Sequence, residues 1–223
     1  MIAVAALVAA VSAGTGGALP PASSPRWSVE ASLGNAWNAP LPLTIRQPGA
    51  ATLDLNPRWS TRGLEFPLYY GVRVARGGGR AAWALDLVHH KLFLQNPPAE
   101  VRQFSISHGY NLITLQRLRE RGSWRHGFGA GVVLAHPENE VRGRRLDEHR
   151  GLFRAGYHLA GPTVAALGGY SFEARPGFHL GVEVRLTYSH AEVPVAGGYA
   201  RVPNLAMHGS VGARFAARSG ARR

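Results

Sequence analysis

The sequence predicts an all-β protein, namely an eight-stranded antiparallel up-and-down transmembrane β-barrel. Apolar residues alternate with small or polar ones over most of the chain, which is the two-residue period of a strand. Short polar turns alternate with long loops, the layout of an outer-membrane barrel. Cysteine is absent, only 17% of residues are charged and 28 are glycine. Such a composition excludes thiolate metal sites and disulfides and is not that of an ordinary cytosolic enzyme.

The first residues are expected to form an export signal. Residues 1–13 are apolar except for Ser12 and end in small residues, as secretory signal peptides do, although no basic residue precedes them. A short buried helix is the alternative interpretation. Residues 14–26, rich in Gly, Pro and Ser, indicate a disordered leader, 27–215 the barrel and 216–223 a basic tail.

Eight stretches carry the strand period, most clearly 178–189. There Leu180, Val182, Val184 and Leu186 are expected to face lipid, while Glu183 and Arg185 face the interior. The predicted strands are 27–37, 66–76, 81–94, 104–120, 124–141, 155–173, 178–193 and 205–215. The long loops are 38–65, 95–103, 142–154 and 194–204. Both chain ends then lie beside the short turns, in the periplasm.

A soluble, ligand-carrying barrel of the lipocalin type would show the same alternation with its apolar face turned inward. Three features favour the membrane barrel: a polar face made mostly of small residues, a last strand that ends on Phe215, and aromatic residues at both strand ends. The aromatic residues are Trp27, Trp83, Trp124, Phe178 and Phe215 at one end, and Trp37, Phe93, Phe104, Tyr157 and Tyr188 at the other.

Paired charges are expected to close the interior, because an eight-stranded barrel is only wide enough to hold side chains. Buried charges persist when they are paired and hydrogen-bonded. The inward charges by alternation are Glu30, Arg73, Asp86, Arg125, Glu183, Arg185 and Arg214. We expect Glu183 to reach Arg73, Arg185 or Arg214. The alternative, a proton or ion path, would need a continuous water column.

Eight of the ten histidines gather where the predicted strands meet the long loops. Alternation points His90, His158 and His208 inward with Asn111 nearby, and these four are the candidate catalytic residues. Imidazole is a common metal ligand and proton shuttle. The same three histidines could bind a divalent metal ion, with Glu138 or Glu140 as the carboxylate. The alternative is that histidine simply suits a wet membrane interface.

A cluster of arginines in the third long loop predicts a phosphate-bearing partner. Arginine binds phosphate through two parallel hydrogen bonds, and the phosphates nearest to such a loop are those of lipopolysaccharide. The cluster consists of Arg142, Arg144, Arg145, Arg150 and Arg154. We therefore expect outer-membrane lipid and lipopolysaccharide as partners, no nucleic acid, and a monomeric chain.

A series of short motifs runs through residues 83–215: His89-His90-Lys91, Gly109-Tyr110-Asn111-Leu112, Thr114-Leu115, Gly129-Ala130-Gly131, His136-Pro137-Glu138, Gly161-Pro162, Leu186-Thr187-Tyr188-Ser189, Gly197-Gly198 and Asn204. In the order and spacing of these motifs the chain resembles the outer-membrane barrels grouped with lipid A oxidase, although position 90 is His where that family tends to have an acid or an amide. The resemblance implies an eight-stranded barrel and oxidation of the lipid A glucosamine on the outer leaflet, and it supplies no catalytic set. The competing hypothesis is a non-catalytic structural or ligand-binding barrel.

Overall fold

The computed structural model describes residues 26–78, 80–147, 151–152 and 154–216. Thirteen strands run through these residues, and eight of them form the wall of a barrel. The wall strands are β1 (Arg26–Asn38), β5 (Tyr70–Gly78), β6 (Ala81–Leu94), β7 (Val101–Arg121), β8 (Trp124–Ala135), β11 (His158–Arg175), β12 (Phe178–Val195) and β13 (Gly198–Ala216). The short strands are β2 (Leu43–Arg46), β3 (Leu53–Leu55), β4 (Trp59–Ser60), β9 (Glu138–Val141) and β10 (Arg144–Arg145). The expected signal peptide, nearly all of the leader and most of the basic tail lie outside the described residues.

Each wall strand pairs antiparallel with two neighbours, so the sheet closes on itself. Following the wall from β1, the order is β5, β6, β7, β8, β11, β12 and β13. The last strand returns to the first through eleven paired positions, from Ser28 with Ala216 to Asn38 with Ala206. The predicted eight-stranded antiparallel barrel is confirmed.

The two ends of the barrel differ in their connections. Tight turns join β5 to β6, β7 to β8 and β11 to β12, and β1 begins and β13 ends on the same side, which we name the turn end. The opposite side is the loop end. The prediction of a long loop over 194–204 was wrong, because β12 and β13 stay paired as far as Val195 with Gly198. Alternation continues there, with Val193, Val195 and Val202 all buried.

The short strands lengthen the wall at the loop end. β2 pairs with β13, β4 pairs with β6, and β9 pairs with β7. The long segment between β1 and β5 is therefore partly sheet and not an irregular loop.

The outward face of the wall carries a continuous apolar band. On β12, Leu180, Val182, Val184 and Leu186 expose 38%, 57%, 57% and 46% of their surface, whereas Glu183 and Arg185 expose only 7% each. The predicted orientation of this strand is confirmed, and the soluble barrel with an inward apolar face is excluded. Among the aromatic residues expected to form rings at the two membrane boundaries, Phe104 does not do so, because its side chain lies inside the barrel with 2% exposure.

No helix among the described residues is long and apolar enough to cross a membrane.

Three arginines and three acids fill the middle of the interior. Arg73 donates hydrogen bonds to Asp86 (2.7 Å), Glu183 (2.8 Å) and Glu30 (3.3 Å). Arg125 binds both oxygens of Glu30 at 2.6 and 2.8 Å and reaches Glu183 at 3.0 Å. Arg185 donates to Asp86 and Glu183, each at 2.8 Å. The six charges balance, as the predicted plug requires.

The partners of Glu183 differ from the prediction in one respect. Arg73 and Arg185 bind it as expected, but the third partner is Arg125. Arg214 instead pairs with Glu120 nearer the turn end. There a vestibule of about 310 Å³, lined partly by Arg26, Arg80 and Arg214, reaches the cluster from the turn end.

Toward the loop end the interior is apolar, which the sequence analysis did not predict. A cluster of buried side chains fills it, including Leu43, Ile45, Leu92, Ile106 and Tyr110. Beyond the apolar band the wall faces water, so the inside can pack as the core of a soluble barrel does. Within the described residues, two layers therefore close the interior of the barrel: the charge pairs in its middle and the packed apolar core toward the loop end.

Candidate functional site

His90 and His208 lie side by side in the packed interior, 0% and 2% exposed. Their ring centroids are 5.0 Å apart in an edge-on arrangement. His90 Nε2 donates to Asn38 Oδ1 at 3.0 Å. The two nitrogens of His208 bond to the hydroxyls of Tyr69 (3.0 Å) and Thr187 (2.8 Å). Neutral partners therefore hold this pair inside the core.

The structure does not bring His158 to these two histidines. It starts β11 at the loop end and is partly exposed. His158 pairs with Ala135, Ala135 pairs with Tyr110, and Tyr110 pairs with His90 on the successive strands. Three interstrand spacings of about 4.8 Å therefore separate the backbone of His158 from that of His90. His158 instead lines a surface cavity of about 390 Å³ together with Arg145 and Asp147. Partial burial lowers its pKa.

Asn111 and Glu138 lie on the outward face, opposite to His90 and His208. Asn111 shares its face with the exposed Leu115 and accepts a hydrogen bond from His89 Nδ1 at 2.8 Å. Glu138 contacts His108. The four ligands expected for a metal ion, His90, His158, His208 and Glu138, therefore do not surround a common point.

The residues around Glu138 form a different group, which we name the outer histidine cluster: His89, His108, Asn111, His136 and Glu138. His108, His136 and Glu138 each offer one ligand atom, and these atoms lie within 4.8 Å of one another. The rings of His108 and His136 are 5.2 Å apart, centroid to centroid. Tyr70 stacks on His89 at 4.9 Å and extends the cluster toward β5.

A bulge in β7 builds the cluster. His90 pairs with Tyr110, and Leu92 pairs with Ile106, so residues 107–109 of β7 stand opposite the single residue between them on β6. Gly109 makes this possible with φ of 127°, and a Cβ there would lie 2.2 Å from Asn111 Nδ2. The bulge turns His108 outward beside β8 and β9.

Two further contacts fix the neighbouring strand. The His136 amide donates to Gly109 O at 2.9 Å, which ties the break between β8 and β9 to the bulge. Tyr157 donates its hydroxyl to His108 O at 3.2 Å, and its ring meets His136 edge-on at 5.0 Å. The cluster therefore rests on backbone pairing and not on loops alone.

The cluster lies at the edge of the apolar band. On the same face, β8 presents Val132, 38% exposed, and Leu134 just before His136. A chain that spans a bilayer places such polar groups at the boundary between hydrocarbon and head groups.

Serine and arginine side chains supply further polar groups near the cluster. Ser107 Oγ donates to Glu138 Oε1 at 2.5 Å. Arg102, 80% exposed in its side chain, pairs with the neighbouring Glu140 at 3.2 Å.

The arginine cluster predicted to bind phosphate divides into two groups. Arg142 is engaged within the protein, because it donates to Gln47 Oε1 at 3.1 Å and Ala51 O at 2.7 Å. Arg144, Arg145 and Arg154 are exposed, and Arg150 lies outside the described residues.

The sequence analysis missed His89, His108 and His136 as site residues. One signal pointed to part of the set, since His136 and Glu138 are two residues apart, which is the spacing of neighbours on one face of an extended chain. The position of His108 depends on the bulge at Gly109, where strict alternation does not hold.

Neither a protein-family model nor a curated protein matches the sequence. Among solved structures, the outer membrane protein AlkL is 14% identical, with 96% of this chain and 100% of that chain covered and a TM-score of 0.48. OprG from Pseudomonas aeruginosa is 10% identical, with coverages of 88% and 98% and a TM-score of 0.48. Neisserial surface protein A is 13% identical, with coverages of 88% and 99% and a TM-score of 0.42. By its own strand ring and outward apolar band, this chain is an eight-stranded transmembrane β-barrel.

Proposed function

We propose that this chain is an outer-membrane protein that modifies the phosphorylated sugar head group of lipid A at the outer histidine cluster. The observation that carries the proposal is the position of the cluster, on the outward face of β6–β9 at the loop-end edge of the apolar band. A lipid in the membrane reaches that face by lateral diffusion. A molecule that entered the barrel would meet only the packed core and the charge cluster.

We infer that this face lies in the outer leaflet. In bacterial outer-membrane barrels the short turns are periplasmic and the long loops extracellular. With the turn end in the periplasm, both ends of the described chain are periplasmic, and the cluster is level with the head groups of the lipopolysaccharide leaflet.

The side chains support acid–base chemistry on a sugar phosphate. His108 with Glu138 can accept and return a proton, and Ser107 orients the carboxylate through its 2.5 Å hydrogen bond. The exposed guanidiniums of Arg144 and Arg154 are suited to lipid A phosphates. By the resemblance to lipid A oxidase, the expected reaction is oxidation of the glucosamine. It removes two electrons from the sugar and therefore requires an external two-electron acceptor such as dioxygen, while the His108–Glu138 pair handles the proton.

Mass spectrometry of lipid A tests the proposal. In a host that supplies the substrate, cells that produce the wild-type chain should carry lipid A altered in the sugar head group. Cells that produce His108→Ala or Glu138→Gln should carry unaltered lipid A, because these changes remove the proposed acid–base pair. His190→Ala is the matched control, since His190 is also exposed at the loop end but lies outside the cluster.

The competing function is a non-catalytic barrel that binds lipopolysaccharide or another external partner. The complete burial of His90 and His208 favours it, because these histidines serve the core and not a substrate pocket. Unaltered lipid A in cells with abundant, folded wild-type protein would support this second function and contradict the first.

A further inference from the structure

We propose that His108, His136 and Glu138 bind one divalent transition-metal ion at the loop-end edge of the membrane band. The inference concerns metal binding by the protein itself and stands whether or not lipid A is the substrate.

The donor set suits such an ion. Two imidazoles and one carboxylate are a recurring set for zinc and for non-haem iron, and they leave coordination positions open. Metal–ligand bonds of about 2.1 Å put neighbouring ligand atoms about 3.4 Å apart. The three candidate atoms already lie within 4.8 Å of one another, so small side-chain rotations bring them to one ion.

The backbone holds the three residues in a fixed frame. Glu138 sits on β9 opposite Ser105 of β7, and Ala135, next to His136, pairs with Tyr110 on the other side of the bulge. The His136 amide bond to Gly109 O joins the two strands at the site. Because His108 and Glu138 lie on the paired strands β7 and β9, and the His136 amide is bonded to the bulge, little chain entropy remains to be lost on binding.

Neighbouring groups orient the ligands and leave the carboxylate accessible to a metal. Ser107 donates to Glu138 Oε1, and Tyr157 holds the His108 backbone. Such contacts around the ligands are typical of metal sites. Glu138 pairs with the imidazole of His108, whereas its neighbour Glu140 pairs with Arg102. An imidazole can exchange that contact for a metal bond, which a guanidinium cannot do.

The buried pair of His90 and His208 offers a useful contrast. Three of its four ring nitrogens bond to Asn38, Tyr69 and Thr187. Among the described residues, no carboxylate forms a hydrogen bond with either ring. The outer set, and not the inner pair, has the chemistry of a metal site.

Metal titration of the full chain, folded in detergent without an affinity tag or lipid A, tests the proposal. Calorimetry with Zn²⁺ should give one ion per barrel, and Co²⁺ should develop a visible absorption band that excess Mg²⁺ does not remove. His108→Ala, His136→Ala and Glu138→Gln should each weaken binding by about tenfold or more. His190→Ala, an exposed histidine at the same end of the barrel, should bind as the wild type does.

The fold of each variant is checked by circular dichroism, and His108→Gln and His136→Gln replace an alanine variant that does not fold. Equal affinity of all variants and the wild type, or no saturable binding by the wild type, would overturn the proposal. Because lipid A is absent from these measurements, they can fail while the lipid A experiment succeeds, and the reverse.

Discussion

Glu183→Gln is expected to lower the free energy of unfolding of the barrel by about 3–5 kcal/mol, because it removes one partner from a buried ion cluster. Glu183 accepts hydrogen bonds from Arg73, Arg125 and Arg185 and is 7% exposed. Its loss leaves three guanidiniums facing two carboxylates in a closed interior. Urea unfolding of the protein in phospholipid vesicles measures the change.

Two variants separate this effect from a general loss of charge. Glu120→Gln removes the partner of Arg214 at a half-exposed position, where the side chain of Glu120 is 38% accessible, and should cost no more than about 1 kcal/mol. Adding Arg185→Gln to Glu183→Gln restores the charge balance and should recover part of the lost stability. If Glu183→Gln unfolds at the same urea concentration as the wild type, water screens the cluster and the interior is not closed.

The inward charges could be predicted individually because alternation in a regular strand has a strict two-residue period. Glu30, Arg73, Asp86, Glu183 and Arg185 all lie on strands without bulges near them. Their pairing could not be predicted fully. Whether Glu183 meets Arg125 or Arg214 depends on the stagger of the strands around the barrel, which a single-strand pattern does not contain.

The candidate site was harder to predict because its strand is apolar on both faces. In β7, Leu112 packs inside at 1% exposure, whereas Leu115 faces outward at 54%. Where both faces are apolar, alternation gives no orientation. Asn111 was expected near the inward histidines, but it lies on the outward face. The bulge at Gly109 then shifts the register of the residues before it.

The apolar core at the loop end escaped prediction for a related reason. The last strand was predicted to begin only at residue 205, and 194–204 was interpreted as a loop. The strands in fact continue beyond the band, as β12 and β13 do up to residues 195 and 198. In this extension the apolar face turns inward, since the outside is water. One strand therefore carries a membrane pattern in its first half and a soluble-barrel pattern in its second.

The aromatic residues of β12 mark the part of that strand that crosses the membrane. Phe178 and Tyr188 are both on the outward face, ten positions apart. At about 3.4 Å per residue they are about 34 Å apart along the strand. With the strand tilted by about 40°, this corresponds to an apolar band about 25 Å tall. Val182 lies close to its middle.

Val182→Arg is expected to lower the free energy of unfolding in a bilayer by about 2–4 kcal/mol, the cost of a cation facing hydrocarbon at the midplane. Val182 is 57% exposed on the outward face, between Tyr170 and Val211 on the neighbouring strands. His190→Arg introduces the same side chain on the same face, two residues beyond Tyr188, and should cost about 0–1 kcal/mol. Urea unfolding in vesicles compares the two variants. Equal costs at both positions would mean that Val182 does not face lipid, and the membrane-spanning assignment of this barrel would be wrong.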